Sequence, residues 1–238
     1  MPTRPNLLLC VPAHNEADII AATLRDLIRT LYGAQFTWQI VVVDNASTDK
    51  TAEAAGRAGN SHIQVLSMPT KGKGAAIRAA GIVAKNIDAD VFGFIDADLS
   101  ADTKSITPFF EQIQSGAADI VIGSRLLNKK QAKRNAMRTL SSELFNWLRE
   151  IILPVAVRDA QCGLKVMNRK GLDILLSCNE PSWFLDIEFL WRARKHKLRI
   201  KEIAIDWEEF RYPNRKPKLN MLRDGFLGIL AIFRIRFR

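Results

Sequence analysis

The stretch Val91-Phe92-Gly93-Phe94-Ile95-Asp96-Ala97-Asp98 sets the fold class of this chain. An apolar run of strand length ends in two carboxylates one residue apart. In an open parallel sheet, ligands bind beyond the carboxyl ends of the strands. Two hard oxygen ligands there suit a divalent cation shared with a diphosphate. Such a cation offsets the negative charge that builds up on a departing nucleotide. The motif is short, and by itself a pair of solvated loop acids, the second capping a helix, is the commoner explanation. Its neighbours decide.

Working outward, the flanking sequence alternates β and α signals. Leu7–Val11 is apolar and stops at Pro12, and Glu16–Leu31 follows with helical spacing through Ile20, Leu24, Leu27 and Leu31. Ile40–Val43 reads as a buried parallel strand. Ser47 or Thr48 is placed to cap the next helix. Ile63–Leu66 is a third strand, and Gly74–Lys85 is a helix. Beyond the carboxylates, Thr103 is placed to cap a helix to Ser115, and Ile120–Ile122 is a fifth strand. Later come an amphipathic stretch over 140–152, a helix over Phe184–Lys195 and a strand over Ile200–Ile205. This is an α/β chain with a mostly parallel central sheet flanked by helices.

At 238 residues the chain suits one enlarged α/β domain. We place the catalytic domain at 1–210 and a basic amphipathic segment, suited to a membrane surface, at 211–238. The net charge of +10 favours an anionic partner: nucleic acid, an acidic membrane or a phosphorylated substrate. Basic and aromatic residues are not interleaved on a strand pair, so nucleic acid is not expected. Three scattered cysteines, Cys10, Cys162 and Cys178, form neither a disulfide framework nor a CxxC site and fit a reducing compartment. The run Gly225–Phe233 is far below the ~20 residues of a membrane span.

Other motifs gather at strand ends. Pro12-Ala13-His14-Asn15-Glu16 follows the first strand, and Asp44-Asn45-Ala46-Ser47-Thr48-Asp49 ends the second. Asp44 suits a base or ribose, or a turn that satisfies backbone amides. Lys71-Gly72-Lys73-Gly74 opens a helix, where the backbone approaches a ligand closely and an anion is favoured. Lys73 meets a phosphate there, or lies in a flexible basic turn. The spacing is not that of a Walker loop.

The ordered series PAHNE, VVVDNASTDKT, KGKGAAIRAA, FIDADLS, GSR and DAQCGLKVM resembles family 2 inverting glycosyltransferases. More narrowly it is similar to the dolichyl-phosphate mannosyltransferase and polyprenyl-phosphate glycosyltransferase branch, over roughly residues 6 to 210. The resemblance implies a GT-A (Rossmann-like) nucleotide-diphospho-sugar transferase fold. It implies that Pro12, His14 and Glu16 line a nucleotide pocket and that Asp44 contacts the base side. Asp96 and Asp98, with Ala97 between them, hold Mg²⁺ or Mn²⁺ against the diphosphate of a UDP- or GDP-sugar. Arg125, Arg138 and Ser142 grip the phosphate of a polyprenyl (dolichyl-type) acceptor. Asp159 and Gln161 lie near the reacting sugar. Ser100 stands where relatives often carry Gln, and His14 where many carry Tyr or Phe.

A polyprenyl phosphate already carries a nucleophilic oxyanion, so it needs neutralisation and aim more than a strong base. Arginine forks bind phosphate oxygens well. Residues 120–142 hold six basic residues and no acid, which fits that task. A hydroxyl acceptor requires a general base instead. Asp159 is then the first candidate and Asp186 the second. A nucleotide- or nucleic-acid-binding module without catalysis is the third alternative. The tail from Met221 to Arg238 mixes large apolar side chains with arginine. It suits either the interface of an acidic membrane or a helix packed on the domain with its arginines outward. Its last residues alternate at period two, which argues against a helix. The expected location is cytoplasmic and peripheral, at the inner face of the membrane.

Overall fold

The computed structural model describes residues 6–58, 61–127, 150–155, 157–208 and 221–237. Seven strands form one sheet: β1 (Leu7–Ala13), β2 (Trp38–Asn45), β3 (Ile63–Met68), β4 (Val91–Ile95), β5 (Ile120–Ser124), β6 (Leu164–Asn168) and β7 (Ile200–Ala204). Their order is β3-β2-β1-β4-β6-β5-β7. Neighbours run parallel except around β6, which is antiparallel to both β4 and β5. The helices are α1 (Ile20–Tyr32), α2 (Thr51–Gly56), α3 (Lys73–Asn86), α4 (Ile106–Gln114), α5 (Arg169–Ser177), α6 (Leu185–Lys195) and α7 (Met221–Arg236).

Continuous apolar runs in β1 and β2 reflect a sheet covered on both faces. Leu7, Leu9, Val11, Ile40 and Val42 turn towards α1 and α4, against Leu24, Leu27, Ile106 and Phe109. Leu8, Cys10, Val41 and Val43 turn the other way, towards Ala76 and Ile77 of α3, Leu172 and Leu175 of α5 and Phe189 of α6. Every one of these side chains is at most 4% exposed.

Several boundaries differ from those the sequence predicts. Helix α1 begins at Ile20, not Glu16. The amides of Asn15, Glu16 and Ala17 donate instead to Ser47 Oγ, Thr51 Oγ1 and Asp49 Oδ2. Ser47 and Thr48 therefore brace the loop after β1 rather than cap α2, whose first turn follows Lys50. Asp102, not Thr103, accepts the capping bond from the Lys104 amide, and a short 3-10 turn precedes α4. Strand β6 was not expected, because Lys165 interrupts the apolar pattern of Leu164–Asn168, and helix α5 after it was not expected either.

The tail also departs from its period-two reading and is helical. Ala231, Ile232 and Ile235 of α7 are buried, the last two against Leu153 of the preceding segment and Ile187 of α6. Arg234 is partly open to solvent yet paired: its guanidinium donates to Glu180 Oε2, from Nη2 at 2.5 Å and Nε at 3.1 Å. The second segment thus packs on the first. No helix among the described residues is long and apolar enough to cross a membrane. Of the amphipathic stretch 140–152, only 150–152 lies within the described residues, and it is helical.

Candidate active site

The carboxyl ends of β1, β2, β4 and β5 and the amino end of β6 meet at one edge of the sheet. Asn15, Ala46 and Leu99, each just past one of these strands, take left-handed φ values of 53°, 54° and 48°. Such backbone costs on the order of 1 kcal/mol or more for a residue with a Cβ, and it clusters at functional sites. Here each reversal ends a strand and turns the following loop across the mouth of the sheet.

On the β1–β2 side the loops are laced together. His14 Nδ1 lies 2.9 Å from Asn45 O, and Thr48 N donates to Asn15 Oδ1 at 2.8 Å. Asn45 Oδ1 accepts from Gly72 N at 2.7 Å and so ties β2 to the loop that opens α3. Pro12, His14 and Glu16 are half-buried around this seam. Asp44 is 8% exposed and accepts the Ser47 amide at 3.3 Å. Its turn function is thus present, beside the pocket expected for a nucleotide.

The Asp96–Leu99 turn is held at three points. Leu99 N donates to Asp96 O at 3.0 Å, Ala97 O accepts from Thr23 Oγ1 of α1 at 2.5 Å, and Asp98 Oδ1 accepts from Ser100 N at 3.1 Å. Ala97 is buried, so its part is structural, while Asp96 and Asp98 remain partly open to solvent. A Cβ on Gly163 would collide with the Asp96 carboxylate. Only glycine lets β6 begin this close to Asp96, whose amide bonds Gly163 O at 3.2 Å. Two carboxylates at an open mouth fit a hard divalent cation that takes its remaining oxygens from a diphosphate and water. Among the described residues no group of three or more acidic, His or Cys side chains competes as a metal site.

Lys73 Nζ sits 2.5 Å from Asp96 Oδ1. Burial pushes its pKa down, but Asp96 and then Asp186 outweigh burial and hold the ammonium protonated. Its loop is seated on residues 180–182. A Cβ on Gly72 would lie 2.7 Å from Pro181 O, and one on Gly74 2.6 Å from Glu180 O. Both glycines are there for close approach.

Across the mouth, Arg125 forms a fork with Asp159. Nε donates to Oδ2 and Nη2 to Oδ1, each at 2.7 Å, and the Arg125 amide adds a bond to Oδ2 at 2.9 Å. Burial alone would raise the Asp159 pKa, but these bonds and the guanidinium charge hold it below the ordinary carboxylate range. Both its oxygens are engaged. Glu202 of β7 fixes the loop beneath by accepting from the amides of Arg158 and Asp159 at 2.9 and 2.8 Å. Gln161 is exposed at the same loop.

Asp186 is 3% exposed, and its Oδ1 lies 2.7 Å from Lys165 Nζ, off the hydrogen-bond direction. Lys165, fully buried on β6, also donates to Cys162 O at 2.7 Å and lies 5.4 Å from the centre of the Phe94 ring. Asp186 thus faces a buried cation. Sequence reasoning missed Glu202 and gave no role to Gly163 and Lys165, although both stand in the DAQCGLKVM motif. Arg138 and Ser142 lie outside the described residues.

Comparison with known proteins gives the family and the fold. The model of the Glycosyl transferase family 2 family matches residues 8–175. The chain is 30% identical over 220 residues to glycosyltransferase AglD of Haloferax volcanii, covering 90% of this chain and 34% of that protein. The chain thus spans about a third of that relative. It is 29% identical to the human dolichyl-phosphate beta-glucosyltransferase, covering 99% of this chain and 76% of that one. It shares its GT-A fold with the Mycobacterium tuberculosis glucosyl-3-phosphoglycerate synthase solved with Mn²⁺ and UDP-glucose, at a TM-score of 0.70 and 20% identity over 98% of this chain and 79% of that one. The motifs at the sheet edge, the strand order and the matched span agree: this chain belongs to glycosyl transferase family 2.

Proposed function

We propose that the chain is an inverting, metal-dependent glucosyltransferase that moves glucose from UDP-glucose to a polyprenyl (dolichyl-type) phosphate. The observation that carries this is the Arg125–Asp159 fork. It presents a fixed guanidinium across from the Asp96–Asp98 turn, close enough to feel the charge of Asp96. An oriented arginine suits an acceptor that is itself a phosphate. Asp186 is buried against Lys165, and both oxygens of Asp159 are occupied by Arg125. Neither is placed as a ready proton acceptor, which favours a phosphate over a hydroxyl. The names of the relatives favour glucose over mannose.

Asp96 and Asp98 would hold Mg²⁺ or Mn²⁺. When bound, the ion neutralises charge on the departing diphosphate. Lys73 adds a second, protein-borne positive charge beside it. Pro12, His14, Glu16 and Asp44 form the nucleotide side, and Gln161 borders the sugar. Arg125, with Arg138 and Ser142 from the segment beyond it, takes the acceptor phosphate. An acceptor phosphate oxygen attacks the anomeric carbon from the face opposite the nucleotide. The bond from that carbon to the diphosphate oxygen breaks, UDP leaves with the electron pair, and configuration inverts. Because the nucleophile is already anionic, no proton has to be removed. The lipid lies in a membrane, and the exposed Leu230 and Phe233 of α7, with Phe237 just past it, support a peripheral position, which we assign to the cytoplasmic face.

The test is sugar transfer with Mn²⁺ or Mg²⁺ from UDP-glucose, with GDP-mannose in parallel, to a short polyprenyl phosphate. Glucosyl-lipid formed by the native protein and lost in Asp96→Ala is the expected result. Transfer from GDP-mannose alone would replace the donor. Nucleotide binding with transfer only to a hydroxyl would replace the acceptor.

A further inference from the structure

We infer that Trp207 is a positioning residue that sets the plane of the Arg125 guanidinium and ties it to the metal-side loop. This deepens the proposed function and rests on it. The Arg125 guanidinium carbon lies 5.4 Å from the centre of the Trp207 ring. Stacking on an aromatic face restrains a guanidinium in a direction that the in-plane Asp159 fork does not. The two partners approach the arginine from different elements, Asp159 from the loop before β6 and Trp207 from the segment after β7.

That segment is not a free tail. Trp207 pairs with Ala101 in an antiparallel bridge. Asp102 N donates to Asp206 O at 3.0 Å, and Glu208 N donates to Ser100 O at 2.9 Å. The backbone that carries Trp207 is therefore fastened to residues 100–102, the direct continuation of the Asp96–Leu99 turn. One strand, β7, serves the arginine twice: Glu202 holds the Asp159 loop and the extension holds Trp207.

The experiment compares native protein, Trp207→Phe and Trp207→Ala in transfer from UDP-glucose to a short polyprenyl phosphate, with donor and acceptor varied separately. Trp207→Ala should raise the acceptor KM about tenfold, the size of a partly desolvated cation–π contact. Its donor KM should stay within about twofold, and Trp207→Phe, which keeps a ring, should recover most of the loss. Melting temperatures of the three proteins separate positioning from general damage. Equal rises in both KM values, or a loss in kcat alone that tracks the melting temperature, would overturn the inference and leave the reaction standing. Identical kinetics in Trp207→Ala would do the same. No transfer to any prenyl phosphate by the native protein would remove the reaction itself and the acceptor role of Trp207 with it.

Discussion

Lys73 and Lys165 make the same kind of contact at two depths. Each ammonium sits within 2.7 Å of an aspartate, Asp96 for the first and Asp186 for the second. Lys73 keeps 17% of its side chain in solvent at the mouth, and its partner is 37% open. The side chains of Lys165 and Asp186 are 0% and 4% exposed. The shallow pair is free to exchange partners, since a cation at Asp96 would compete with the ammonium. The deep pair has no such choice, since neither charge has water to return to. On the proposed function the shallow pair serves the chemistry and the deep pair braces the fold, and the sequence alone does not separate them.

Replacing Lys165 by Met should break the comparison most sharply. It leaves Asp186 charged in the interior and should cost about 3–5 kcal/mol, read as a lowered urea midpoint. The double change Lys165→Met with Asp186→Leu should restore much of that loss. If Lys165→Met alone melts like the native protein, the pair is not a strut.

The Arg125–Asp159 fork should fall between the two lysine pairs. Asp159→Asn should cost about 1–3 kcal/mol near neutral pH. The Asp159 pKa is depressed in the folded state, so its contribution is full above the unfolded value of about 3.9 and fades as pH falls through the lower folded value. The stability gap between native and variant should therefore be flat from pH 5 to 8, on the order of the full effect, and close in strong acid. A gap that widens in acid would contradict the assignment.

Lys73→Ala should barely move stability, by about 1 kcal/mol or less, yet lower kcat/KM for the nucleotide-sugar on the order of a hundredfold. A melting loss as large as that of Lys165→Met would erase the distinction of depth. The smallest effect is a silence. Cys162, whose carbonyl receives the Lys165 ammonium, is buried, and burial pushes its thiol up to about 11. Cys10 and Cys178 are buried and shifted upward as well. A thiol reagent at pH 8 should modify none of the three in the folded protein and all three in denaturant.

The donor half of this site was largely legible. Its motifs are contiguous, each following an apolar run that the strand period identifies. The acceptor half was not. Lys165 reads as a polar interruption, yet it completes a buried strand because Asp186, 21 residues on, neutralises it. Glu202 and Trp207 look like ordinary strand-end residues until β7 lies beside β5 and its extension crosses to Ala101. Pairings between distant segments carry no local period. The tail misled for a related reason: Arg234 has a distant partner, Glu180, that no local pattern announces.

That last contact has a temporal side. Glu180 N is bound to Glu188, Ser182 Oγ donates to Glu180 Oε1, and the carbonyls of 180–182 form the wall on which Gly72 and Gly74 rest. Arg234 lies 54 residues further along the chain. While the protein is being made, the sheet and its motifs leave the ribosome well before the residue that neutralises Glu180. The wall behind Lys73 thus gains its last charge partner only when α7 arrives.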